Sequence, residues 1–163
     1  MRKAAERPAH FRISSVTLDE QSAAPRNAVG ERERKIAIHD LLHDNRFAPK
    51  GSPGGPYRLH LSVSENRLVL DIRLADGGEH GRILLSLTPF KRALRDYFAI
   101  CESYHAALRA ASPTRAEAVD MARRGLHDEG AAILRERLEG KVELDFATAR
   151  RLFTLLCALH FGG

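Results

Sequence analysis

The chain has 163 residues, 44% of them hydrophobic and 29% charged, with a formal net charge of +5 at pH 7. That length suits one domain large enough to bury a core without metals or disulfides. No apolar targeting region follows Met1 and no run of about 20 apolar residues occurs, so export and membrane insertion lack a signal and the cytoplasm is the expected location. The basic excess is mostly Arg interspersed with Asp and Glu, which reads as a solvated mixed surface with only weak, sequence-independent attraction for nucleic acid.

In chain order, residues 1–9 are polar, contain Pro8 and show no period; they are expected to be a disordered leader to a single domain at 10–163. His10 to Leu18 is a predicted strand whose apolar side changes between Ile13 and Val16, as a bulge or edge position requires. Gln21 to Val29 reads as loop. From Gly30, ERERKIAIHDLLHDN predicts a helix with Ile38, Leu41 and Leu42 inward. Ala48 to Pro56, APKGSPGGP, is the clearest break; it runs into a strand and lacks Gly-Lys-Ser/Thr, so it reads as a turn rather than a phosphate cradle.

Two alternating runs follow, Tyr57 to Ser64 and Arg67 to Leu74, joined at Glu65-Asn66. Tyr57, Leu59, Leu61 and Val63 line one face of the first, and Leu68, Leu70, Ile72 and Leu74 one face of the second; Arg58, His60, Arg67, Asp71 and Arg73 point the other way. Asp76-Gly77-Gly78 turns the chain into Arg82 to Leu87, completing an antiparallel meander with one wet side. Thr88-Pro89 signals a helix start, and Pro89 to Ala110 spaces Phe90, Leu94, Tyr97, Phe98, Cys101, Tyr104 and Leu108 as a buried stripe. Ser112-Pro113 repeats the device and opens a long helix to about Glu139, interrupted by Gly125 and Gly130.

Gly140 stops that helix, Lys141 to Leu144 is a short extended connector, and Asp145 caps the last helix, Phe146 to Phe161. At ~100° per residue the apolar side chains of this helix, including Leu152, Phe153, Leu155, Leu156 and Leu159, fill half its circumference or more. It is therefore the predicted central core helix. An arc that wide also leaves room for a symmetric partner, so a homodimer is the alternative to complete burial in one protomer.

The segments GGPYRLHLSVSENRLVLDIR, LLSLTPFKRALRDYFAICESYHAALR, VDMARRGLHDEGA and RLEGKVELDFATARRLFTLLCALHF resemble uncharacterised protein family 0262, known mainly from alphaproteobacteria. The resemblance covers nearly everything from about His10 onward. It implies no reaction, ligand or catalytic residue, because the family has none established to carry over.

Chemistry must then be sought in the residues themselves. His39-Asp40-Leu41-Leu42-His43 sets two imidazoles one turn apart, yet Asp replaces the Glu of a zinc-protease helix and no third ligand is evident. Glu102 and His105 have a di-iron spacing without the second motif such a site needs. Cys101 and Cys157 fall at apolar helical positions and read as buried thiols. No metal or cofactor is expected. The strongest polar run is Arg123, Arg124, His127, Asp128 and Glu129, with Arg123 and Glu129 at the edges of the buried stripe. Its structural reading is an Arg124–Asp128 pair one turn apart, with Arg123 or Glu129 bridging to a neighbouring helix. Its functional reading is a pocket in which Arg123 or Arg124 grips an anion and His127 titrates near neutral pH.

A second, basic cluster comprises Arg82, Lys91, Arg92 and Arg95 around a helix start. The polar strand faces lack aromatic residues for base stacking, which argues against nucleic acid as the partner. No triad, nucleophile elbow or dinucleotide fingerprint occurs. The sequence thus predicts an α+β domain: a small antiparallel sheet of three or four strands packed against three C-terminal helices and one N-terminal helix. The expected function is that of a non-enzymatic cytoplasmic interaction or regulatory protein with an unknown protein partner. The alternative is a small enzyme or anionic-ligand sensor built on Arg123 to Glu129.

Overall fold

The structure, a computed structural model, describes residues 10–19 and 28–160. The expected leader at 1–9, most of the Gln21–Val29 loop and Phe161 lie outside the described residues.

Strict alternation forms the sheet. Strands β1 (Ile13–Leu18), β3 (Tyr57–Ser64), β4 (Arg67–Leu74) and β5 (Glu79–Ser86) lie in the order β1-β3-β4-β5. β3, β4 and β5 form the expected antiparallel meander, with Glu65 and Asn66 both at positive φ in the first hairpin turn. β1 departs from the antiparallel expectation: it pairs with β3 in parallel, and its register shifts between Ile13 and Ser15, where the apolar side changes. Parallel neighbours need a crossover, which is supplied by helix α1 (Ala28–His43). Asn45 fastens this crossover: its Oδ1 accepts the Ile13 N–H at 2.7 Å, and its Nδ2 donates to the carbonyls of Ile13 and Leu41 at 3.0 and 2.8 Å.

The short strand β2 (Phe47–Pro49) pairs with β6 (Val142–Leu144), so the expected connector Lys141 to Leu144 is half of a two-stranded ribbon. Between them in sequence come α2 (Lys91–Arg109), entered through a 3-10 turn at Thr88–Phe90, and α3 (Pro113–Leu138). Thr88 makes no capping bond to α2; its Oγ1 instead accepts from Asn66 Nδ2 at 3.1 Å. Ser112 likewise makes no side-chain cap, although Pro113 takes the first position of α3 as expected. Phe98 and Leu108 are 41% and 51% exposed, because the buried stripe of α2 runs through Ala93, Leu94, Tyr97 and Cys101.

Helix α4 (Phe146–His160) lies at the centre. Asp145 caps it as expected, accepting the Thr148 N–H on Oδ1 at 3.0 Å and the Ala149 N–H on its carbonyl at 3.1 Å. Leu152, Phe153, Leu155, Leu156, Cys157 and Leu159 are each no more than 4% exposed, covered by α1, α3 and the inner face of the sheet. These six side chains of the apolar arc are therefore buried within one protomer, whereas Phe146 at its start is 37% exposed. Cys101 and Cys157 are buried thiols. No helix among the described residues is long and apolar enough to cross a membrane.

The two glycines in α3 do not break it, and they have opposite reasons. A Cβ on Gly130 would lie 2.5 Å from the Phe153 ring, whereas one on Gly125 would meet nothing within 4 Å. Gly130→Ala should therefore destabilise the fold by about 1–3 kcal/mol through overpacking. Gly125→Ala should stabilise it by about 0.5–1 kcal/mol through helix propensity. Urea melts of the two variants check the opposite signs.

Candidate functional site

Helices α2, α3 and α4 meet along a polar seam. A tyrosine of α2's buried stripe, Tyr97, faces His127 of α3, their rings 4.7 Å apart and tilted by 34°. Tyr97 Oη and Thr154 Oγ1 lie 2.8 and 3.0 Å from His127 Nε2. Thr154 also donates to the Arg150 carbonyl at 3.1 Å, one turn back on α4. Which atom donates at the two Nε2 contacts is set by the tautomer of the imidazole.

Charged groups surround this triad. Asp120 accepts from Arg123 Nη2 at 3.1 Å and lies 3.2 Å from Arg124 Nε. Arg123 also stacks its guanidinium over the Tyr104 ring at 5.1 Å, so it bridges to α2 as one structural reading required. The expected Arg124–Asp128 pair is replaced, because Arg124 turns back to Asp120 and Asp128 reaches Arg150 of α4. Asp128 Oδ1 lies 3.1 Å from Arg150 Nε, but off the N–H direction, so the contact is an ion pair rather than a hydrogen bond. Glu129 is exposed.

His127 does not titrate near neutrality as the functional reading expected. Burial first, and then the positive charges of Arg123 and Arg150, lower its pKa from 6.5 to about 4, against partial opposition from Asp128 and Asp120. The imidazole is neutral at pH 7.

The basic cluster is not brought together as one site. Arg82 sits in the middle of β5 opposite Asp71, whereas Lys91, Arg92 and Arg95 occupy the first turns of α2. Arg92 and Arg95 lie 3.7 and 3.9 Å from Asp96, and the preceding 3-10 turn takes up the Phe90 and Lys91 N–H groups that an anion would need. His39 and His43 stack as parallel rings with centroids 6.4 Å apart, both exposed. Among the described residues no three His, Cys, Asp or Glu side chains converge as metal ligands. The side chain of His105 lies outside the described residues.

Sequence reasoning missed Asp120, Arg150 and Thr154. Asp120 was legible, being three and four residues before the two arginines it pairs with; the α4 partners depend on helix packing that local spacing does not encode. It also missed an open groove of about 680 Å³ beside the β2–β6 ribbon, where Phe11, Arg46, Lys50, Arg135, Glu139 and Lys141 gather. Arg46 there pairs with Glu143 at 3.0 Å and stacks over Phe11 at 5.6 Å.

The sequence model of the Uncharacterised protein family (UPF0262) matches residues 10–162. The chain belongs to this family. Relatives named "UPF0262 protein" include one from Azorhizobium caulinodans, 58% identical over 96% of this chain and 98% of its own length. Another, from Xanthobacter autotrophicus, is 58% identical over 93% of each chain. A third, from Rhizobium etli, is 52% identical over 94% of this chain and 97% of its own. No solved structure gives a significant match. The family name carries no function, so the seam must be tested directly.

Because His127 has a lower pKa folded (about 4) than unfolded (6.5), its contribution to stability is complete above pH 6.5 and is lost as pH falls towards 4, where the unfolded chain binds the proton first. The loss is at most about 3 kcal/mol. His127→Gln should remove that part of the pH slope, as measured by denaturant melts between about pH 7 and about pH 4.5. Parallel slopes for the variant and the wild type would contradict the neutral, buried imidazole.

Proposed function

We propose that this member of family UPF0262 is a non-enzymatic cytoplasmic interaction or regulatory protein, in which the Arg123–Glu129 segment holds the helical layer together. The observation that carries this reading is internal matching: Asp120 is engaged by Arg123 and Arg124, Asp128 by Arg150, and His127 by Tyr97 and Thr154. Groups already paired across three helices have less to offer a ligand, and breaking them costs fold stability.

A second reading, an anionic-ligand sensor at the same seam, is favoured by one specific feature. Three guanidiniums there face two carboxylates, and two of them, Arg123 and Arg150, are close enough to depress the His127 pKa. A thermal-shift screen over metabolites, nucleotides and metals separates the readings, since a ligand at 100 times its Kd stabilises by about 2.7 kcal/mol. The interaction reading predicts that His127→Ala lowers the melting temperature of the free protein, that Arg124→Ala changes it little, and that neither abolishes a ligand response. A reproducible shift lost in both variants would overturn it in favour of the sensor.

A further inference from the structure

The sheet has one face against the helices and one that the described residues leave open. On the open face of β3, β4 and β5, cross-strand partners form rows. Arg58 faces Arg73; His60, Asp71 and Arg82 form the next row; then Ser62, Val69 and Leu84; then Ser64, Arg67 and Ser86. All four arginines are exposed, and Leu84 is 47% exposed.

This arrangement is poor for stability. Like charges directly opposite one another, as Arg58 and Arg73 are, destabilise a sheet. Arg73 finds only loose compensation, 3.9 Å from Asp71 and 3.7 Å from Glu79. A bulky apolar side chain exposed in the same field adds to the cost of leaving the face bare.

We infer that this face is a docking surface for an acidic protein segment that carries an apolar side chain between two carboxylates. Val69 and Leu84 form an apolar strip with Arg67 one row to one side and Arg82 one row to the other. At about 6.6 Å per two residues of strand, those arginine rows are about 13 Å apart. An extended segment with carboxylates four residues apart and an apolar residue midway spans that distance. Arginine suits the role because its planar fork holds a carboxylate through two hydrogen bonds.

Charge alone would also attract nucleic acid, but two features of the face favour protein. It offers no Phe, Tyr or Trp ring to stack a base, and between Arg67 and Arg82 it presents the apolar Val69–Leu84 strip, which an apolar side chain can cover and a phosphate backbone cannot. The inference rests on the interaction-protein reading and supplies the chemistry of the partner. A ligand response lost in Arg124→Ala and His127→Ala would defeat that reading, whereas the experiment below addresses the sheet alone.

Fluorescence anisotropy of the full chain with a labelled peptide of repeated Glu-Ser-Leu-Ser-Glu is the test, alongside the same peptide with Leu replaced by Ser and a labelled DNA duplex. The Leu peptide should bind more tightly than the Ser peptide and weaken with added salt. Arg67→Ser with Arg82→Ser should weaken it by about tenfold or more, whereas Lys91→Ser with Arg92→Ser, which removes the same charge elsewhere, should change it by less than about twofold. Circular dichroism checks that the variants fold. Leu84→Ser, at an exposed position, provides an independent reading: it should erase the preference for the Leu peptide. Equal losses in the two arginine and lysine pairs, an unchanged preference in Leu84→Ser, no binding of the Leu peptide, or tighter binding of the duplex would each overturn the inference.

Discussion

The close approach of α3 to α4 at Gly130 and Phe153 is the constraint on which the rest depends. Phe153 is wholly buried, and its ring occupies the space that any side chain at position 130 would fill. Contact at that range lets α3 lie directly on α4 and brings the polar residues one turn earlier on α3 into reach of both neighbouring helices. The T-shaped packing of Tyr97 on Phe153, with centroids 5.9 Å apart, continues the same contact into α2. Phe153 thus joins three helices, and the hydrogen-bonded triad at His127 borders it.

Polar chemistry at such a seam is expensive unless every group is matched. Burying a charged imidazole beside two guanidiniums would cost more than burying a neutral one, so the residue stays neutral. The carboxylates of Asp120 and Asp128 offset the arginines that helix packing brings together. In the first two turns of α4, Thr148, fully buried, accepts the Arg46 N–H at 3.0 Å, while Arg151 donates to the Asp44 carbonyl at 2.9 Å. The N-terminal turns of the central helix are therefore tied to the rest of the chain by hydrogen bonds, and its later turns are held by apolar contact.

Much of this was legible in the sequence because it is local. Period-two alternation located β3 and β4 and separated their arginines from their leucines; the half-apolar wheel of the last helix marked it as the core; Asp145 announced its own cap. What was hidden is what depends on distant partners. The parallel pairing of β1 depends on Asn45 and a crossover helix, and the β2–β6 ribbon joins residues almost a hundred positions apart in sequence. Gly130 looked like an interruption because a glycine in a helix is ambiguous until the neighbour pressing on it is known. In the candidate site the polar residues were found, but their partners were misassigned: Arg124 has carboxylates one turn away in both directions, and only the fold decides that Asp128 belongs to Arg150.

The same physics divides the molecule into a side fixed by burial and a side left to solvent. The inner face of the sheet carries Tyr57, Leu59, Leu61, Leu68, Leu70 and Ile72, each no more than 3% exposed, and the outer face carries the arginines. Whether α4 is truly the organising core is tested most directly by native-state hydrogen exchange, which reads the free energy at which each amide opens. The amides of Leu152, Leu155 and Leu156 should exchange only through global unfolding, with the same free energy and denaturant dependence as those of β3 and β4. Exchange of these amides through a smaller opening, while the sheet stays protected, would contradict the central place given to this helix.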